Sequence, residues 1–252
     1  MRIVVIGGTG LVGAKVVHAL SERGHDVLAA SPRTGVDTVT GVGLSDALRG
    51  VAVVVDVSNS PSFDDAEAME FFRTATANLL GAEADAGVGH HVALSVVGTD
   101  RLAPASGYFQ AKLTQESLIS SGPVPYTLVR ATQFFEFLST IADSATVDNT
   151  VSLPPALIQP MASADVAEGI ALAAVAAPVN GIIEIGGPEP FRLDEVIRTA
   201  LTARGDARRV VSDPTARYWG IAIGERTRIP AEGAALFDPR LADWILETAA
   251  RL

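Results

Sequence analysis

Tyr108 and Lys112 are the residues of this sequence whose types and spacing point most directly to chemistry. In Tyr108-Phe109-Gln110-Ala111-Lys112 the phenol and the ammonium are four positions apart, so a helix would carry both on one face. A tyrosine stays protonated to about pH 10. An ammonium beside it favours the phenolate and lowers that value. The chain otherwise prefers arginine, and Lys15 and Lys112 are the two lysines among its 19 basic residues. Ser95, a further hydroxyl, ends the apolar run that precedes Tyr108.

An anion site is written nearer the start. Gly7-Gly8-Thr9-Gly10-Leu11-Val12-Gly13 follows the apolar run 2–6 and opens an amphipathic stretch. It satisfies both Gly-x-x-Gly-x-x-Gly and Gly-x-Gly-x-x-Gly. Glycines here allow a tight turn, let the backbone approach a pyrophosphate and let the helix pack closely on the strand. The pyrophosphate would then meet the helix N-terminus, where unpaired N–H groups and the positive dipole end attract anions. Residues 7–13 thus read as a dinucleotide site.

The end of the next strand, Ala30-Ser31-Pro32-Arg33, has no carboxylate to hold a ribose 2′-hydroxyl. Ser31 can instead donate to a 2′-phosphate, and Arg33 can form a charge-assisted fork with it. The preferred cofactor is therefore NADP(H), with NAD(H) as the alternative. Asp56-Val57-Ser58-Asn59-Ser60-Pro61 follows a third strand, and Ser58 and Asn59 are expected beside the dinucleotide.

These groups need a scaffold, and the first half of the chain supplies an alternating one. Strand patterns at 2–6, 26–30, 51–57, 91–96 and 126–129 are interleaved with helical patterns at 11–23, 45–49, 66–86 and 109–120. That rhythm gives an α/β fold, a Rossmann-type doubly wound parallel sheet. The composition agrees: 48% of residues are apolar and few are aromatic, which suits Val- and Ala-rich strands buried on both faces. After Arg130 prolines break the chain, leaving helices at 163–177 and 193–204 and a strand at 182–185. The expected division is a dinucleotide-binding domain, 1–135, and a small C-terminal substrate lobe, 136–252, folded on the sheet's carboxyl edge as one continuous unit.

With the glycine turn, Ser95, Tyr108 and Lys112 in place, the sequence resembles the short-chain dehydrogenase/reductase superfamily. Asn78-Leu79-Leu80 through Ala86-Gly87-Val88, Tyr126-Thr127-Leu128-Val129-Arg130-Ala131 and Ala164-Asp165-Val166-Ala167 are similar to its atypical, NmrA-like branch. The resemblance spans roughly residues 2–185. It implies that Tyr108 gives a proton to a substrate oxygen as hydride arrives, that Lys112 also binds the nicotinamide ribose, and that Ser95 orients the carbonyl. Arg130 joins the cofactor set. The family's additional catalytic Asn has no counterpart, since Phe71, Phe72 and Arg73 occupy its region. On the substrate side, Val97, Gln133, Phe134 and Phe135 are the candidates, the phenylalanines suiting a flat aromatic or quinone-like compound.

Several classes are excluded or disfavoured. A net charge of −10 with no basic run leaves no surface for nucleic acid. The absence of cysteine removes disulfides, thiol catalysis and thiolate metal sites, and the four histidines lack metal-ligand spacing. No membrane segment or signal peptide is read, so a cytoplasmic location is expected, with a small molecule as partner and homo-oligomerisation left open. The first functional reading is an NADPH-dependent reductase of a carbonyl or quinone. Against it stands a redox-sensing NADP(H)-binding protein without turnover. An epimerase that keeps NAD bound ranks last, on the missing acid near residue 31 and the short second lobe.

Overall fold

The computed structural model describes residues 1–249. In chain order the elements are β1 (Arg2–Ile6), α1 (Leu11–Glu22), β2 (Asp26–Ala30), α2 (Leu44–Ala47), β3 (Val53–Asp56), α3 (Asp65–Ala86), β4 (His90–Val96), α4 (Thr99–Leu102), α5 (Gly107–Ser121) and β5 (Tyr126–Ala131). Then follow α6 (Leu138–Ser144), β6 (Thr146–Val147), β7 (Thr150–Leu153), β8 (Leu157–Ile158), α7 (Ser163–Val175), β9 (Gly181–Gly186), β10 (Phe191–Arg192), α8 (Leu193–Ala203), β11 (Arg209–Ser212), β12 (Ala235–Leu236) and α9 (Leu241–Ala249).

The strand patterns dictate the sheet. In β1, Ile3 to Ile6 are buried on both faces, and β3 is buried throughout, so both are interior strands. β2 alternates exposed and half-buried positions, as an edge strand does. The order is β12-β9-β5-β4-β3-β1-β2, with the β2–β1, β1–β3, β3–β4 and β9–β12 pairs parallel. Residues 31–50, beyond β2, form turns and the short α2, so β2 closes that side of the sheet without a further strand. The doubly wound expectation holds in this form, with the chain reversing direction across the sheet at β1. There Ile6 is level with Ala30 of β2 and Asp56 of β3. The three loops that follow, starting at Gly7, Ser31 and Val57, therefore leave the sheet side by side, where open α/β sheets bind their ligands.

The compact units do not divide at residue 135. One comprises 1–130 with 166–183, so α7 and the start of β9 return to it; the other comprises 131–165 with 184–249 among the described residues. A β-sheet takes strands by pairing, not by chain position, which is why a single cut in the sequence misplaces this boundary. In the first unit α3 and α5 pack through Ala68, Phe72 and Ala111. Their N-termini approach so closely that a Cβ on Gly107 would lie 2.1 Å from Asp65 Cγ. Asp64 caps α3 by accepting from Ala66 and Glu67 N–H, and Gly87 ends it with φ +71°. The second unit has its own core, including Phe135, Leu138, Ile158, Ile197 and Leu201.

Candidate active site

The glycine turn is shaped by what side chains would strike. Gly7 adopts φ +76°, and a Cβ there would meet Ser58 N at 2.9 Å. A Cβ on Gly8 would meet Val5 O at 2.7 Å, and one on Gly13 would meet Gly7 O at 2.1 Å. Gly10, the N-cap of α1, has nothing closer than Gly7 O at 3.3 Å and no side-chain cap, and the first turn carries no acid. The result is a backbone cradle beneath a helix N-terminus whose first turn offers its orphan N–H groups no carboxylate of its own. That arrangement fits a pyrophosphate.

Ser31 stands at the end of β2, its residue 6% exposed, and its hydroxyl has no hydrogen-bond partner among the described residues. Arg33 is exposed in the turn Pro32–Thr34 and makes no ion pair among the described residues. A buried hydroxyl without a partner is costly, and a ligand oxygen would satisfy it.

Tyr108 and Lys112 share the face of α5 that meets α3. The Tyr108 hydroxyl donates to Asn59 Oδ1 at 3.0 Å. Its ring lies 6.0 Å from that of Phe72 and 5.4 Å from that of Phe63, which is 66% exposed. Asn59 follows Ser58, the residue against which Gly7 packs, so the phenol and the dinucleotide cradle meet on the same short loop. Lys112 is 3% exposed; its Nζ donates to Leu94 O at 2.9 Å and to Gln115 Oε1 at 2.5 Å, and sits 4.7 Å above the Phe72 ring. Burial pushes the ammonium down to about 8, against the opposing pull of the Asp56 and Glu116 carboxylates.

A model of the NAD-dependent epimerase/dehydratase family matches residues 3–134, just over half of the 252-residue chain. The chain belongs to the NAD-dependent epimerase/dehydratase family. It lies with it in the short-chain dehydrogenase/reductase superfamily that the sequence resembles, and the family is named for its dependence on NAD. No curated protein sequence matches the chain. Among solved structures it is similar to the UDP-glucose 4-epimerase of Thermus thermophilus in complex with NAD, at 21% identity and a TM-score of 0.69, over 99% of this chain and 93% of that one. It is likewise similar to a short-chain dehydrogenase/reductase superfamily protein from Agrobacterium tumefaciens with bound NAD, at 21% identity and a TM-score of 0.73, over 100% and 96%. A dTDP-4-dehydrorhamnose reductase from Clostridium acetobutylicum aligns at 14% identity and a TM-score of 0.73, over 100% and 99%. At these identities the structural likeness concerns the fold.

In this member of the epimerase/dehydratase family, not every expected residue joins the site. Ser95 is 2% exposed and donates to Glu116 Oε1 at 2.5 Å, so its hydroxyl is committed to α5. Arg130 grips the same Glu116 through Nε at 3.0 Å and Nη2 at 2.6 Å, and reaches Asp100 at 2.8 Å. A fork–fork pair in the interior holds its guanidinium, which gives it a structural role in the first unit. Val97 is 0% exposed and Phe135 1%, so neither lines a substrate surface as expected. Phe135 instead anchors the second unit's core and packs on Trp244. Gln133 is buried with its amide facing Arg228, and Phe134 stacks on Phe137 at 5.3 Å.

Asp56, Gln115, Phe63 and Phe72 also build the site, beyond the residues expected from the sequence. Asp56 Oδ1 accepts from Ser58 N at 2.9 Å and Oγ at 2.6 Å, while Oδ2 accepts from Gln115 Nε2 at 3.0 Å. One carboxylate thus fastens the loop that carries Asn59 to the helix that carries Lys112. An acid ending a Val-Val-Val run was the available signal, since a buried carboxylate needs partners.

Proposed function

We propose that the protein is an NADP(H)-preferring reductase of a carbonyl or quinone in which Tyr108 is the proton donor. The observation that carries this reading is the short path from Gly7 through Ser58 and Asn59 to the Tyr108 hydroxyl. When bound, the dinucleotide supplies hydride. The chain's own part is to bind it on residues 7–13, to hold a 2′-phosphate at Ser31 and Arg33, and to deliver a proton from the Tyr108 oxygen to a substrate oxygen. Lys112 acts on the phenol as a nearby positive charge, which favours loss of the proton. The exposed ring of Phe63, packed on Tyr108, supports a flat apolar substrate and replaces the phenylalanines at 134 and 135 in that role.

The family name and the similar folds include epimerases and dehydratases, so an acid–base cycle on a sugar-like substrate is the competing chemistry. A second observation favours the sensor reading: the Lys112 ammonium is buried, with donors already engaged by Leu94 and Gln115. The deciding experiment measures NADPH and NADH consumption on a panel of aromatic ketones and quinones, with wild type and Tyr108→Phe, and separately follows nucleotide sugars by chromatography of the sugar product, since redox-neutral sugar chemistry consumes no dinucleotide. Ketone reduction that collapses in Tyr108→Phe supports the proposal. Binding of NADPH without consumption on any compound rejects it in favour of the sensor, and turnover confined to nucleotide sugars rejects it in favour of epimerase-type chemistry.

A further inference from the structure

We propose that Asn59 is a positioning residue for Tyr108, its amide accepting from the phenol before proton transfer and turning over to donate to the phenolate afterwards. The inference rests on the proton-donor reading of Tyr108 and names the group that manages that proton.

The geometry begins with the hydrogen bond itself. The Tyr108 O–H points at Asn59 Oδ1, 3.0 Å away. For the proton to leave toward a substrate oxygen, the O–H must rotate off Asn59. The phenol's O–H bond then breaks, its electron pair stays on the phenolate oxygen, and the proton forms a new O–H bond on the substrate. Facing that phenolate, an amide oxygen would be repulsive. A carboxamide carries both an acceptor and donors at nearly the same position, and a half-turn exchanges them. The Asn59 side chain has room to make that turn, because the residue is exposed.

Its backbone, by contrast, is fixed. Asp56 holds Ser58 through both N–H and hydroxyl, and is held in turn by Gln115 of α5. The next residue along is therefore set at a constant distance from the helix bearing Tyr108. The fixed backbone and exposed amide together allow rotation without displacement.

The hydrogen bond to a charged phenolate is roughly twice as strong as that to a neutral phenol. A turning amide consequently favours the phenolate on balance, whereas an amide locked as acceptor would favour the phenol. The two cases give opposite signs when the side chain is removed. The charged groups on elements around this end of α5 are Lys112 on the helix itself, Asp65 of α3 against Gly107, Asp64 at the α3 cap, and Asp100 and Arg101 on α4. None of them changes in an Asn59 variant.

The test is the ultraviolet tyrosinate titration of the purified protein, with Tyr108→Phe subtracted to remove Tyr126 and Tyr218. Asn59→Ala is expected to move the Tyr108 titration upward by about one pH unit, a tenfold loss of phenolate at a given pH. Asn59→Gln, which keeps the amide, is expected to return most of the shift. A downward shift or none in Asn59→Ala overturns the proposal, as does a failure of Asn59→Gln to recover it. NADPH binding by each variant checks that the cradle is intact. An upward shift in Asn59→Ala, together with a wild type that reduces no compound, would leave the Asn59 assignment standing while removing the reductase reading.

Discussion

Replacing Gly13 by alanine should damage both the fold and the dinucleotide site, whereas the same change at Gly10 should damage the site alone. A Cβ on Gly13 would stand 2.1 Å from Gly7 O, 2.7 Å from Gly7 C and 2.8 Å from Gly8 Cα. All three are backbone atoms, so no side chain can swing aside. Reaching even a 3.0 Å separation requires α1 to lift by about 0.9 Å from the turn. Overpacking of that order costs about 1–3 kcal/mol. For a chain of this size it lowers Tm by roughly 3–10 °C. The lift also carries the helix N-terminus away from the pyrophosphate, and loss of one charge-assisted hydrogen bond, about 1.5–3 kcal/mol, weakens NADPH binding roughly ten- to a hundredfold. At Gly10 the backbone has φ −84° and the nearest atom is 3.3 Å away. Alanine there costs the fold no more than about 1 kcal/mol, the difference between the two residues at an N-cap. Yet its methyl group would stand at the open helix end proposed to receive the pyrophosphate. Scanning calorimetry and NADPH fluorescence titration on both variants separate the two effects. Unchanged NADPH affinity in Gly10→Ala, or an unchanged Tm in Gly13→Ala, would refute the reasoning.

Ser31→Ala and Arg33→Ala are each expected to weaken NADPH about tenfold or more, the worth of a hydrogen bond to a charged group, and to leave NADH unchanged; equal losses for both cofactors would remove the 2′-phosphate assignment. Lys112 makes stability rise with pH. Its folded value of about 8 lies below its ordinary 10.5, so between these pH values the unfolded chain binds more protons and folding gains about 3 kcal/mol, largely complete by pH 10.5. Urea unfolding at pH 7.5, 9 and 10 should give Lys112→Met a flatter dependence than wild type, and parallel curves would count against it. The fully buried His91–Glu83 pair, 2.8 Å apart, behaves oppositely. Burial pushes His91 down, but the Glu83 charge and hydrogen bond, with Asp56, raise it overall, so the pair's stabilisation is complete below pH 6.5 and is lost as pH rises through the raised value. Glu83→Gln should therefore cost about 3–5 kcal/mol at pH 6, with a smaller loss at high pH, measured by the same urea titrations.

The parts of this protein that were legible in its sequence are those where local pattern and global role coincide. The glycine turn is such a case, since each of Gly7, Gly8 and Gly13 is required by contacts within a few residues or by the neighbouring strand ends. Runs such as Val53–Asp56 announce interior strands for the same reason: burial on both faces leaves no alternation to misread. Tyr108 and Lys112 were visible because helical spacing alone places them together. What escaped was set by partners distant in the chain. Nothing near Ser95 or Arg130 announces that both will converge on Glu116, and nothing near Phe135 distinguishes a pocket wall from a core residue.

Helix α5 shows how these two kinds of information combine. Its face carries Tyr108, Lys112, Gln115 and Glu116, one or two turns apart. The spacing of the first two points to chemistry and that of the last two does not, yet all four are tied to the strands. Tyr108 reaches the loop after β3, Lys112 the Leu94 carbonyl of β4, Gln115 the final residue of β3, and Glu116 both Ser95 of β4 and Arg130 of β5. Phe72, in the region where the family's additional Asn is missing, adds an aromatic face beneath the ammonium. A polar side chain there would have offered Lys112 a hydrogen bond; the ring offers a weaker, less directional attraction, on the order of 0.5–2 kcal/mol. The ammonium is accordingly held by a backbone carbonyl and by Gln115, and Asp56 passes that anchorage to the Asn59 loop. The helix that bears the acid and the loop that receives its hydroxyl are thus positioned by one set of buried bonds, so a change at Gln115 should disturb Tyr108 without touching it.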